Sequence, residues 1–143
     1  KVVIPGGSGQ VGAILARSYF AAQEPEIVIL SRRAAPPEGR ARTVVWDGKT
    51  LGSWTSELDG ADVVINLAGR SVNCRYTERN RDEIFASRLT TTRALRAAIS
   101  AADAPLLGQV VIAALPSVTD MPSREMESFV ELMIAPSPRR MRR

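Results

Sequence analysis

One stretch near the start of the chain limits what the whole can fold into. Val2-Val3-Ile4-Pro5 is a short apolar run, Gly6-Gly7-Ser8-Gly9-Gln10-Val11-Gly12 follows without a gap, and an amphipathic segment begins in the same turn. By periodicity this is a strand, a glycine-rich loop and a helix. Gly6, Gly9 and Gly12 stand three apart, and Gly7 to Gly12 carries the G-x-G-x-x-G spacing. Gly6 permits the sharp exit from the strand, Gly9 leaves room for a diphosphate beside the backbone, and Gly12 lets the helix close onto the sheet. Unpaired N–H groups at the helix start, helped by the helix dipole, then face the anion. A merely flexible turn would show the same glycines, but it would not need the strand before it and the helix after it. Gly6, Gly7, Ser8, Gly9, Gln10, Val11 and Gly12 are therefore the first candidate cofactor-binding residues.

The pattern then alternates. The first helix is predicted from Gln10 to about Ala22, with Val11, Ile14, Leu15 and Ser18/Tyr19 on its buried stripe; Pro25 closes it. Glu26 to Leu30 is the second strand, and Ser31-Arg32-Arg33 leaves it. An acidic residue at this position, about twenty residues past the glycines, would bind a ribose 2′-hydroxyl. Two arginines stand there instead, and their forked, permanently charged donors suit a 2′-phosphate. The expected cofactor is NADP(H) in preference to NAD(H); the alternative is that the arginines are only solvated at a strand end. Residues 34–42 read as a loop and Thr43 to Trp46 as the third strand. Asp47 follows it, either accepting a hydrogen bond from an adenine amino group or capping its own turn. Leu51 to Leu58 is a short helix with Trp54 and Leu58 on one side. Ala61 to Gly69 is the fourth strand and its exit, where small residues after Leu67, Ala68 and Gly69, let a cofactor lie against the backbone or serve the turn alone. Thr77 caps a long helix that runs to about Ala101, with Ile84/Phe85, Leu89, Thr92, Leu95 and Ile99 buried. Arg88, Thr91 and Arg93 lie on it within reach of the crevice. A fifth strand is expected over Gln109 to Ala114.

Strands alternating with helices place the chain in the α/β class, as a Rossmann-type doubly wound parallel sheet of order 3-2-1-4-5. Residues 1–115 form the nucleotide-binding domain, and 116–143 read as an irregular, partly disordered basic tail. Ending near strand five would leave an apolar edge and face exposed, which invites pairing with a second copy.

Composition excludes several classes of function. The net charge of +4 is matched by Arg139, Arg140, Arg142 and Arg143, so residues 1–138 are balanced. A nucleic-acid partner would call for a basic face on the domain itself, and none is expected. No apolar run is long enough to span a membrane, and no charged start followed by an apolar segment marks a signal peptide. The chain holds no histidine, which removes imidazole acid–base chemistry and most zinc sites. Its one cysteine, Cys74, can form neither an internal disulfide nor a metal cluster, and fits a reducing, cytoplasmic setting. No metal site is expected.

Taken together, Gly6-x-x-Gly9-x-x-Gly12, Ser31-Arg32-Arg33, Leu58 to Gly69 and Ser87-Arg88-x-x-x-Thr92-Arg93-x-Leu95 resemble the extended short-chain dehydrogenase/reductase superfamily. The likeness covers about residues 1–112. The nearest branch is that of NAD(P)-dependent epimerase/dehydratase-like proteins, described as nucleotide-sugar epimerases. Pro5 departs from the threonine usual before the glycines, a change expected to alter local hydrogen bonds without removing the loop.

The resemblance implies hydride transfer between a nicotinamide and a hydroxyl or carbonyl substrate. A serine or threonine, a tyrosine and a lysine four residues later would carry the proton chemistry. This chain does not supply them: its tyrosines are Tyr19 and Tyr76, its lysines Lys1 and Lys49, and Ser117 is the one candidate for the first member. No catalytic residue is assigned. The pattern breaks after about residue 113, as expected of the cofactor half of an enzyme cut short, for instance by a shifted reading frame. Two functions follow: the nucleotide-binding part of an epimerase-type oxidoreductase, or a module that binds or senses NADP(H) without turnover. The small-molecule substrate is not legible.

Overall fold

The computed structural model describes residues 1–19, 25–37, 41–102 and 109–112. Five strands pair in parallel: β1 (Val2–Pro5), β2 (Ile27–Ser31), β3 (Ala41–Val45), β4 (Val63–Asn66) and β5 (Gln109–Ile112). Their order is β3-β2-β1-β4-β5, as the alternating pattern predicts. β1 is central and all four of its residues are buried, which explains why it is apolar without alternation.

Side chains alternate across a strand, so β1, β2, β3 and β4 each feed two cores. Val3, Val28, Leu30 and Val64 point to one face, where Trp46, Trp54 and Leu58 meet Ala94, Leu95 and Ala98. Val2, Ile4 and Ile27 point to the other, against Leu15 and Ala16. Ile4, Leu30 and Leu58 are fully enclosed, each contributing about 1.5–3 kcal/mol of apolar burial. The first face is closed by the 3-10 helix Ser53–Leu58 and by α2 (Glu78–Ala101). α2 starts at Thr77, whose hydroxyl accepts from the Asn80 N–H at 3.2 Å. Its buried side is built largely of small residues, Thr91, Thr92, Ala94 and Ala98, so the helix lies close to the sheet. Trp46 and Trp54 meet edge-on, with ring centroids 5.0 Å apart, and the Trp54 indole N–H donates to Thr50 O at 2.9 Å. The indole is thus buried without a lost hydrogen bond.

Three expectations are corrected. The first helix is α-helical only over Gln10–Ile14, here α1, and continues as a π-helical turn over Leu15–Tyr19; residues 20–24 lie outside the described residues. Val11 and Ile14, expected to be buried, are 57% and 62% exposed. Gly12 is the reason: pressed against the loop, it turns the face bearing Gly12, Leu15 and Ala16 inward and the Val11 side out. The third strand starts at Ala41 rather than Thr43, because it pairs with all five residues of β2, from Ile27↔Ala41 to Ser31↔Val45. Trp46 leaves the strand to bury its ring. The expected tail, residues 116–143, and the end of the fifth strand, 113–114, lie outside the described residues. No helix among the described residues is long and apolar enough to cross a membrane.

Arg42 accounts for a polar residue on β3. Its guanidinium donates to Glu57 at 2.8 Å and to Glu26 at 3.1 Å, tying β3 to the 3-10 helix and to the start of β2. Lys1 Nζ lies 3.5 Å from the same Glu57. The Arg42 hydrogen bonds hold the Glu57 carboxyl below the usual carboxylate range, against a desolvation that pushes the other way. A folded-state value below the unfolded one gives stability that is complete above the unfolded value and lost as pH falls through the folded one. Arg42→Met is expected to lower unfolding free energy by about 1 kcal/mol near neutral pH. That difference should shrink in urea titrations at about pH 3; a difference independent of pH would contradict the assignment.

Candidate functional site

The C-terminal ends of β2, β1 and β4 lie side by side in the sheet, the place where a parallel sheet of this order offers a ligand crevice. The ladder runs on past the strands: Gly6 N–H donates to Leu30 O and Leu67 N–H to Pro5 O, both at 2.8 Å. Pro5 brings no N–H, but its carbonyl still joins β1 to the exit of β4, and the loop survives the departure from threonine. Gly6 has φ +76°, and a Cβ there would lie 2.6 Å from the Ala68 backbone. Gly7 N–H turns back to Ile4 O at 3.0 Å, and Ala13 N–H reaches Gly9 O at 3.0 Å. A Cβ on Gly12 would sit 2.1 Å from Gly7 O, so the close approach this glycine permits is helix against loop. On Gly9 a Cβ would meet only Gly6 O, at 3.7 Å. The loop is therefore packed tight beneath and open above, with Ser8, Gly9, Gln10 and Val11 exposed. Gly9 is the N-cap of α1 and supplies no side-chain cap, which leaves first-turn N–H groups for an anion.

Beside the loop, the Ser31 hydroxyl donates to Ser8 Oγ at 3.2 Å and accepts from the Arg33 N–H at 3.3 Å. Two stretches singled out separately in the sequence are thus joined. Ser31 is buried, while Arg32 and Arg33 are exposed. Asp47 lies beyond β3 with its carboxylate already engaged. It accepts the N–H groups of Lys49 and Thr50 at 2.8 and 2.9 Å and the Thr50 hydroxyl at 2.7 Å. The Thr50 hydroxyl, then the two main-chain donors, pull its pKa down to about 2. Of the two readings the sequence left open, this geometry is that of a turn cap.

On the far side, Asn66 ends β4 at 2% exposure. Its Oδ1 accepts from Ala68 N–H at 3.0 Å, and its Nδ2 donates to Thr92 Oγ1 at 3.3 Å. Leu67 and Ala68 are half-buried beside Gly6, and Gly69 is exposed. Arg88 lies against Gly69, half-buried, and its Nη1 donates to Arg70 O and Ile84 O at 3.1 and 3.2 Å. Burial lowers its pKa from the ordinary guanidinium value. Asn66 and Ser87, whose hydroxyl accepts the Arg70 N–H at 2.8 Å, were missed. Neither was assigned a role from the sequence: Asn66 was marked as a polar residue closing an apolar strand, and Ser87 only as the first residue of the motif Ser87-Arg88-x-x-x-Thr92-Arg93-x-Leu95.

The residues considered for proton chemistry do not join this crevice from one place. Lys1 pairs with Glu57 at the N-terminal end of β1. Tyr76 is exposed just before α2, and Lys49 is exposed in the Asp47 turn. The Tyr19 side chain and Ser117 lie outside the described residues. What the crevice offers is main-chain donors, two hydroxyls and guanidinium groups, a set suited to holding an anionic ligand.

Comparison with known proteins agrees with this geometry. The model of the NAD dependent epimerase/dehydratase family matches residues 2–125, past residue 112, to which the likeness in sequence extends. The epimerase family protein SDR39U1 of Bos taurus is 29% identical over 145 residues, 93% of this chain and 46% of the relative. The crystal structure of human SDR39U1 (isoform 2) with NADPH superposes with a TM-score of 0.66 at 27% identity, covering 95% of this chain and 49% of that one. MoeE5 in complex with UDP-glucose and NAD gives 0.65 at 23% identity, over 86% and 39%. The chain thus spans less than half the length of each of these relatives.

The loop geometry separates two glycines. Gly12→Ala should cost about 1–3 kcal/mol of stability, since the methyl has no room, while Gly9→Ala should cost less than about 1 kcal/mol. Chemical unfolding of both variants checks this, and equal losses would contradict it. For Asp47, carbon-detected NMR titration should show the carboxyl ionised until pH falls to about 2. Because its folded value is lowered, its contribution is complete above the usual carboxylate range and lost only through that low value. Thr50→Val should raise it toward the ordinary range.

Proposed function

The chain belongs to the NAD dependent epimerase/dehydratase family, and from that premise we propose that it binds NADP(H) in preference to NAD(H). The diphosphate lies over the open side of the glycine loop, held by the main-chain N–H groups at the start of α1. The adenosine ribose lies beside Ser31, and its 2′-phosphate takes Arg32 and Arg33. The observation that carries this reading is the Ser31–Ser8 hydrogen bond. It fixes the exit of β2, with its two arginines and no carboxylate, directly against the loop. The human relative solved with NADPH supports the choice, and MoeE5, solved with NAD, shows that the same fold accommodates either dinucleotide.

In a protein that spans the full length of such relatives the bound nicotinamide would exchange hydride with a hydroxyl or carbonyl substrate, a sugar nucleotide or a similar compound. A second reading, a non-catalytic module that binds or senses NADP(H), rests on one observation: no tyrosine in this sequence is followed four residues later by a lysine. The unpaired Cys74 fits a cytoplasmic, reducing setting for either.

Calorimetric titration of the chain with NADPH and NADH tests the cofactor, and a turnover assay separates the two readings. Replacing Arg32 and Arg33 together by alanine should weaken NADPH binding about 10- to 100-fold, the loss of charge-assisted bonds to a phosphate, and leave NADH binding nearly unchanged. Equal affinity for the two cofactors in the unaltered chain would overturn the preference.

A further inference from the structure

We infer that Arg88 is a positioning residue for the cofactor crevice, acting through Gly69 and the main chain of Arg70 rather than by touching the cofactor. The inference rests on the dinucleotide-binding reading above. Residues 67–70 form one wall of that crevice, because Leu67 is hydrogen-bonded to Pro5 and Ala68 abuts Gly6. Past Leu67 no main-chain ladder bond among the described residues holds this segment to the sheet, so its place must be set by side chains.

α2 sets it. Consecutive residues of that helix take both main-chain polar groups of Arg70: Ser87 Oγ accepts its N–H at 2.8 Å, and Arg88 Nη1 donates to its carbonyl at 3.1 Å. The Arg70 guanidinium reaches Asn80 at 2.9 Å and pairs with Glu83 on the same helix. Arg88 is itself fixed by its second bond, to Ile84 O. Gly69 lies directly over this half-buried side chain. A Cβ there would be 3.0 Å from Arg88 Cγ and 3.2 Å from its Cζ and Nη1. The guanidinium cannot yield without lengthening its bond to Arg70, so a methyl at position 69 and the arginine compete for one space. Gly69 is small to admit Arg88, and Arg88 holds the wall that faces the cofactor.

The test is a double-mutant cycle on the full chain, read by NADPH affinity and by thermal unfolding. Gly69→Ala and Arg88→Ala should each weaken NADPH binding about tenfold, as a wall no longer held in register would. The double variant should bind no more weakly than Arg88→Ala alone, because the methyl now occupies vacated space. Arg88→Lys, which keeps a nitrogen donor, should recover part of the affinity and serves if the alanine variant does not fold. Arg42→Met, far from the crevice, should lower stability without changing affinity, which separates positioning from general loosening. Additive losses in the cycle, or affinities that follow stability in every variant, overturn the inference while leaving the cofactor reading intact. Failure of the unaltered chain to bind NADP(H) or NAD(H) overturns both.

Discussion

The crevice depends on main chains that approach each other with no side chain between them. Gly6 lies against the Ala68 backbone and Gly12 against Gly7 O, at separations where a single methyl would collide. These two approaches bring the exit of β4, the glycine loop and the start of α1 into one rigid layer. Interiors close-packed in this way do not deform gradually. The same contacts that bury the loop from below leave Gly9 and its neighbours clear above, so the space for a ligand follows from how the protein packs against itself.

Around that layer, polar groups do work that apolar packing cannot. Among the described residues, the hydrogen-bond ladder of the sheet reaches Gly6 and Leu67 and no further along these exits, and side chains reaching across the fold hold what lies around and beyond them. Ser31 joins Ser8, Asn66 joins Thr92 and its own Ala68, and Ser87 with Arg88 grips Arg70. These groups are wholly or partly buried and satisfied, which is the condition under which buried polarity specifies one arrangement. α2 therefore has two roles along its length. Its later turns bury Ala94, Leu95 and Ala98 against the sheet, and its earlier turns anchor the wall of the crevice.

Much of this was legible in the sequence because it is local or periodic. The apolar runs marked the strands, and their alternation with helical stretches gave the sheet order that the structure shows. The Thr77 cap, the burial of Trp54 and Leu58, and the glycine spacing all follow from residues a few positions apart. The first helix shows where that logic stops. Apolar spacing nominated Val11 and Ile14 for burial, whereas the closeness of Gly12 to Gly7 set the rotation of the helix and exposed both. On β3, counting apolar residues missed Ala41 and Arg42, because pairing with β2 and an ion pair to Glu57 admit them.

The sequence alone determined the strand–loop–helix unit, the faces of the sheet and the charge at the exit of β2, since backbone stereochemistry and side-chain periodicity act over a few residues. Only the tertiary structure decided that Asp47 spends its carboxylate on its own turn and that Arg88 lies under Gly69 with its guanidinium on Arg70. It likewise decided that Asn66, rather than a residue of the loop itself, pins the exit of β4. Each of those outcomes depends on which donor comes within about 3 Å of which acceptor. Among groups that could pair in several ways, only the packed arrangement of the sheet and α2 makes that choice.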